Sequence, residues 1–223
     1  MPALGHTITP AVVRHALQTM EEPEFRRAYL NQWTSRDDRV IPDVAWRKVR
    51  KDVTPERPVF IGVDINPERT FSAIAVVDSH RRAEIGRYGA GTSWVADYVI
   101  EMAKRLKAPV ALDVSGPAGT LAHDFESHGL TVVKVSGRDL AMACGAFYDA
   151  VIDGTIAVRD SSVYQEPLDL AVSAARKRPL GDAWAWARRD TASDICPLVA
   201  LTVAHWASLT TTPHASSFEV AWL

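Results

Sequence analysis

The chain has 223 residues, 47% of them hydrophobic, which suits one domain or a domain with an arm and excludes a disordered chain. Its 25 Lys/Arg against 27 Asp/Glu leave a formal charge of −2, so a nucleic-acid partner would need a local basic patch rather than a net positive charge. Cys144 and Cys196 form no C-x-x-C pair, which argues against a disulfide framework and fits a reducing, cytosolic setting; no basic-then-apolar signal opens the chain and no apolar run approaches bilayer length.

Residues 1–57 carry ten Lys/Arg against eight Asp/Glu, and the remainder carries fifteen against nineteen. The stretch ITPAVVRHALQTMEEPEFRRAYLNQW predicts two short helices. Thr9 is placed to cap the first, with Pro10 at its first helical position. Phe25, Tyr29 and Trp33 recur at helical spacing on the second. SRDDRVIPDVAWRKVRKDVTPERP is polar, charged and proline-containing, and reads as a linker or a strap across a surface.

From Val59 the pattern is that of a folded domain. VFIGVDI, almost continuously apolar, predicts a central strand. FSAIAVVD and AEIGRYGA predict two more. Their short connections make the three antiparallel, because parallel neighbours need a crossover. Trp94, Tyr98, Val99, Met102 and Leu106 then mark an amphipathic helix. PVALDV is a strand, GTLAHDFESH a helix stopped by Gly129, TVVKV a strand, and RDLAMACGAFYDAVID a helix stopped by Gly154. That alternation predicts parallel strands with crossover helices, and so a mixed sheet. TIAVR is a short candidate strand, PLDLAVSAARKR a helix, GDAWAWARRD an extended stretch, and Asp194 to Leu209 a buried helix.

Three carboxylates stand at element ends. Asp64 lies near the end of the first strand, Asp113 at the end of PVALDV, and Asp194 at the start of the last helix. A parallel strand beside the first one brings Asp64 and Asp113 to one sheet edge, where open α/β sheets place their sites. Converging carboxylates repel one another unless protons or cations lie between them. Hard divalent cations such as Mg²⁺ take oxygen ligands, and two of them about 4 Å apart clamp a phosphodiester for hydrolysis. The plainer alternatives are a turn at Asp64 with Asn66 and Pro67, an Asx-type turn at Asp113, and a helix cap at Asp194.

The order of these elements resembles the ribonuclease H-like fold, and more closely the nuclease domain of the large terminase subunit of tailed bacteriophages. FRRAYLNQW, VFIGVDINPERTFSAIAV, PVALDVSGPAG and ASDICPLVALTVAHW carry the likeness. The last is similar to the terminal D-I-S-P-L-V-A motif, with Cys196 where serine is usual. The resemblance implies a mixed central sheet flanked by helices, an arm over residues 1–57 and a nuclease domain over residues 58–223. It implies a metal-dependent endonuclease that cuts concatemeric viral DNA during packaging. Asp64, Asp113 and Asp194 would then ligate Mg²⁺ or Mn²⁺, as two ions.

The same resemblance implies double-stranded DNA, an ATPase domain, the small terminase subunit and the portal as partners. It implies action in the cytoplasm of the infected bacterial host, with an isolated domain monomeric. The chain contains no G-x-x-x-x-G-K-[ST] loop, so it is expected to be an excised or separately encoded nuclease domain rather than the ATP-driven motor. Thr191 stands where some relatives have a histidine, and no histidine is assigned a catalytic role. Another ribonuclease H-like nuclease, such as a junction resolvase, and an inactive DNA or portal docking module are the alternatives.

Lys134, Arg138, Arg176, Lys177, Arg178, Arg188 and Arg189 are candidate phosphate contacts. Arg178, Arg188 and Arg189 are favoured because they bracket the approach to the last helix. Asp182 and Asp190 are spare acids, with Gly181–Asp182 reading more naturally as a turn. His123 and His128 are five apart and read as surface residues rather than a zinc site. Trp184 and Trp186 predict one aromatic face of an edge strand.

Overall fold

The computed structural model describes residues 9–20, 25, 28–29, 39–57, 59–189 and 191–212. They fall into two compact units, Met1–Asp38 and Arg39–Leu223. In the first, helix α1 (Pro10–Thr19) starts as its sequence dictates. The Thr9 hydroxyl accepts from the Val12 N–H, and proline occupies the first turn, where its missing N–H costs nothing. Phe25 and Tyr29 stack with ring centroids 5.1 Å apart, while Trp33 lies outside the described residues.

The second unit begins earlier than a strap reading of residues 35–58 suggests. Helix α2 (Asp43–Val49) buries Trp46 and Val49, and strand β1 (Arg50–Lys51) joins the sheet edge. The Trp46 indole N–H donates to Asp169 at 2.7 Å. Two apolar residues spaced by three form a stripe that the surrounding charges disguise in the sequence.

Strands β2 (Val59–Ile65), β3 (Phe71–Asp78) and β4 (Arg82–Ala90) form the expected antiparallel meander. Helix α3 (Val95–Leu106) leads to β5 (Val110–Asp113), which pairs in parallel with β2. A 3₁₀ turn (Pro117–Leu121) runs into α4 (Ala122–Ser127), and β6 (Val132–Val135) pairs in parallel with β5. Helix α5 (Gly137–Ile152) then returns across the sheet, so that β7 (Ala157–Arg159) pairs with β4 and β1. The seven-stranded order is β1-β7-β4-β3-β2-β5-β6, which places β2 inside the sheet and makes it mixed.

Helix α6 (Gln165–Ala174) stops short of the predicted Arg178. Lys177–Leu180 instead forms β8, paired with β9 (Ala183–Trp186) as a separate hairpin. Pro179 cannot continue a helix, and Gly181 takes a φ of +61° in the two-residue connection. Helix α7 (Cys196–Thr210) is buried along most of its length, which explains why its sequence shows so little amphipathic contrast.

The two sheet faces differ in bulk. Val59, Ile61, Val63, Ile74, Val76, Val110 and Leu112 face α3 and α4. The opposite face presents Ala73, Ala75 and Ala111 around Gly62, and α7 lies on it with Ala200 and Ala204. Small residues on both sides let helix and sheet approach closely. Asp64 and Asp113 follow Gly62 and Ala111 at strand spacing, so both carboxylates belong to this second face.

Candidate active site

Asp64 lies one residue before the end of β2, and Asp113 ends the neighbouring parallel strand β5. The register pairs Gly62 with Ala111 and Val63 with Leu112, and one step further Asp64 stands beside Asp113. Asp64 is 1% exposed and Asp113 3%, so neither charge is satisfied by solvent. The turn after β2 does not use Asp64. Asn66 makes it, with its side-chain carbonyl accepting from the Thr70 and Phe71 N–H groups at 2.8 and 3.1 Å. A buried acid that no local turn requires points to a role for the charge itself.

Asp113 serves its own turn as well, with Oδ1 accepting from the Ser115 N–H at 2.9 Å. Gly116 closes that turn; a β-carbon there would lie 2.9 Å from Asp113 Oδ2. Asp194 approaches from the start of α7. Its Oδ1 accepts from the Cys196 N–H at 2.9 Å, an Asx-type turn leading into the helix, whose N-cap is Ile195, and its Oδ2 meets the Tyr88 hydroxyl at 3.3 Å and the Cys196 thiol at 3.1 Å.

Sequence reasoning placed Arg188 among the phosphate contacts, and the fold brings it to the acids. Its Nη1 donates to both oxygens of Asp64 at 2.7 Å, and its Nη2 donates to Asp113 Oδ2 at 3.1 Å. Burial nevertheless pushes Asp64 up to about 6, outweighing the attraction of Arg188, with the neighbouring Asp113 and Asp194 charges adding to the rise. Burial and the Asp194 carboxylate likewise hold the Tyr88 phenol well above its ordinary value, so it remains a neutral donor.

Arg178 and Arg189 are exposed, and both line a cleft of about 440 Å³ with Asp113, Gly116, Gly137 and Arg188. A second cleft of about 390 Å³ joins Asn66, Glu68, Arg188, Arg189 and Asp194. The acid edge thus opens between two basic-lined clefts. Lys134 is paired with Glu126 at 2.8 Å, and His128 Nδ1 lies 2.9 Å from the Asp124 carbonyl on α4. Asp182 sits exposed at the hairpin turn, and Asp190 lies outside the described residues.

Among the described residues no three His, Cys, Asp or Glu side chains form a group ready to hold a metal ion as they stand. The donor chemistry fits one all the same. Two of the acids, Asp64 and Asp113, share one guanidinium, and the oxygens of all three acids are those a hard divalent cation takes. The local signal for Arg188 was slight. It lies 124 residues from Asp64, with only the charge of Arg188–Arg189 to mark it.

The nuclease domain of the large terminase of Thermus phage P74-26 has a TM-score of 0.52 at 14% identity, covering 69% of this chain and 83% of that one. The large terminase of bacteriophage HK97 has a TM-score of 0.61 at 15% identity; the match covers 92% of this chain and 52% of that protein, so the chain spans about half its length. A mutant nuclease domain of the large terminase subunit of bacterial virus Sf6 with manganese has a TM-score of 0.54 at 11% identity, covering 74% of this chain and 98% of that one. The sequence matches no protein-family model and no curated protein. At these identities the likeness establishes the fold, which is that of terminase nuclease domains, ribonuclease H-like.

Proposed function

We propose that the chain is a divalent-metal-dependent DNA endonuclease of the genome-packaging type. The observation that carries this reading is the pair of buried carboxylates, Asp64 and Asp113, side by side toward the ends of parallel strands, with Asp194 arriving just ahead of the last helix. The fold shared with terminase nuclease domains supports it.

Asp64, Asp113 and Asp194 would hold Mg²⁺ or Mn²⁺, as two ions. Such ions supply an activated water and a positive charge for the leaving oxygen. The chain's own residues do the rest. The rigid sheet holds Asp64 and Asp113 in register, and Tyr88 orients the Asp194 carboxylate by a hydrogen bond. Arg178, Arg188 and Arg189 would hold phosphates in the flanking clefts without reading bases. Double-stranded DNA is the substrate. A terminase ATPase domain, the small terminase subunit and the portal are the partners, and the host cytoplasm is the place of action.

Nicking of supercoiled plasmid tests the reading. Activity is expected with Mg²⁺ or Mn²⁺, none with EDTA, and at least a ~100-fold loss in Asp64→Ala and Asp113→Ala. Cleavage that persists in EDTA, or in both variants, would refute it.

A further inference from the structure

We propose that Arg188 is the resident counter-ion of the acid pair, and that a divalent cation enters only by displacing its guanidinium. This rests on the reading of Asp64 and Asp113 as metal ligands. Arg188 Nη1 is bonded to both Asp64 oxygens at 2.7 Å and Nη2 to Asp113 Oδ2 at 3.1 Å. Asp64 and Asp113 are two of the residues that would hold the ion. A guanidinium seated between the two carboxylates occupies the space a divalent cation needs, and two adjacent positive centres repel.

The exchange keeps the acids paired throughout. Two buried carboxylates with no cation between them are costly, so an empty intermediate is disfavoured and the two cations trade places. The surroundings suit that trade. Arg188 lies past the end of β9 rather than in a paired strand, and its side chain is 16% exposed against 1% for that of Asp64. Gly116 leaves the space the guanidinium occupies: a β-carbon there would be 3.2 Å from Nη2. The adjoining cleft of about 440 Å³, lined by Arg178 and Arg189, receives the released side chain. There it becomes a third cation facing a phosphate. Metal loading and DNA grip are thereby linked through one residue.

The experiment is titration of Mg²⁺ into the parent, Arg188→Gln and Arg188→Lys by calorimetry, without DNA. Alongside it, the Arg188 Nε–Hε resonance of the parent is followed by NMR. Arg188→Gln is expected to bind Mg²⁺ about tenfold more tightly than the parent, with Arg188→Lys between them. The Arg188 resonance is expected to move with Mg²⁺ occupancy and to return with EDTA. Should Arg188→Gln not fold, the parent resonance decides. Mg²⁺ that binds the parent without moving that resonance, or that binds Arg188→Gln no more tightly, overturns the displacement alone. Mg²⁺ binding to none of the three proteins overturns the metal reading, and this proposal with it.

Discussion

Gly62 faces Ala200 across the sheet–helix interface so closely that a β-carbon on Gly62 would lie 2.0 Å from the Ala200 carbonyl oxygen. Asp64 follows Gly62 on the same face of β2, and Asp194 lies six residues before Ala200 at the entry to α7. The close approach that glycine allows is therefore also what brings the third acid toward the first. Gly62→Ala is expected to destabilise by at least about 2–3 kcal/mol, because the obstructing atoms are backbone and cannot swing aside. Urea unfolding measures this, and a loss below ~0.5 kcal/mol would contradict the packing argument.

Trp186 anchors the hairpin from which Arg188 extends. It is buried, and its indole N–H donates to Thr202 on α7 at 3.0 Å. Trp186→Phe is expected to cost about 1 kcal/mol for the lost bond, and Trp186→Ala about 3–5 kcal/mol for the cavity as well. Plasmid nicking by Trp186→Ala, assayed where it remains folded, should fall below that of Trp186→Phe. Equal rates would mean that the hairpin's seating does not matter to the site.

Tyr88 touches Asp194 by its hydroxyl and stacks on Phe71 by its ring, with centroids 5.3 Å apart. Tyr88→Phe keeps the stack and removes only the hydrogen bond. Stability should change by less than about 1 kcal/mol, while Mn²⁺ affinity drops roughly tenfold, the scale of an outer-shell partner. Calorimetry reads the second effect, and an unchanged affinity would remove Tyr88 from the site.

Asp78, fully buried at the end of β3, ties residue 56 to the β3–β4 turn. Its carboxylate accepts from the backbone N–H groups of Glu56, His80 and Arg82 at 2.8–2.9 Å, and from Arg82 Nε at 2.6 Å. Burial pushes its pKa up, but these donors together pull it below the ordinary carboxylate value. Its stabilising contribution is thus present at neutral pH and lost as pH falls through the carboxylate range. Asp78→Asn should cost about 3 kcal/mol at pH 7, with the gap to the parent narrowing in acid, as denaturant titrations at the two pH values can show.

His205 lies buried on α7, edge-on to Phe147, and neither ring nitrogen has a hydrogen-bond partner among the described residues. Burial, then the charge of Arg81, pushes it down to about 4. The unfolded chain takes up this proton near 6.5 and the folded one only near 4. The neutral ring therefore favours the fold above 6.5, and the advantage is lost as pH falls toward 4, up to about 3 kcal/mol. Parent and His205→Leu unfolded in urea at pH 7.5 and 4.5 should differ in slope by most of that amount. Parallel pH dependences would place the proton elsewhere.

Much of this architecture was legible in the residues. Apolar period and length mark β2, β3, β5 and α3. Short connections dictate the antiparallel meander, and helical crossovers dictate the parallel strands β5 and β6. Asp64 and Asp113 could be placed at one edge because strand direction follows from connection length. The two-residue pairing of Trp46 and Val49 was too short a stripe to stand out among charges, so α2 was hidden. The hairpin was hidden because Arg176 to Arg178 continue a helical composition until Pro179.

What the sequence by itself determined is what depends on neighbours along the chain: periodicity, caps, turns, and the strand ends on which acids sit. What only the tertiary structure decided is what depends on one face meeting another. Arg188 between Asp64 and Asp113, Tyr88 against Asp194, and α7 against Gly62 are contacts between residues roughly 75 to 140 positions apart. No local propensity encodes such pairs; they follow from which side chains leave room, once the sheet is twisted and covered, for a charge or a backbone to come close.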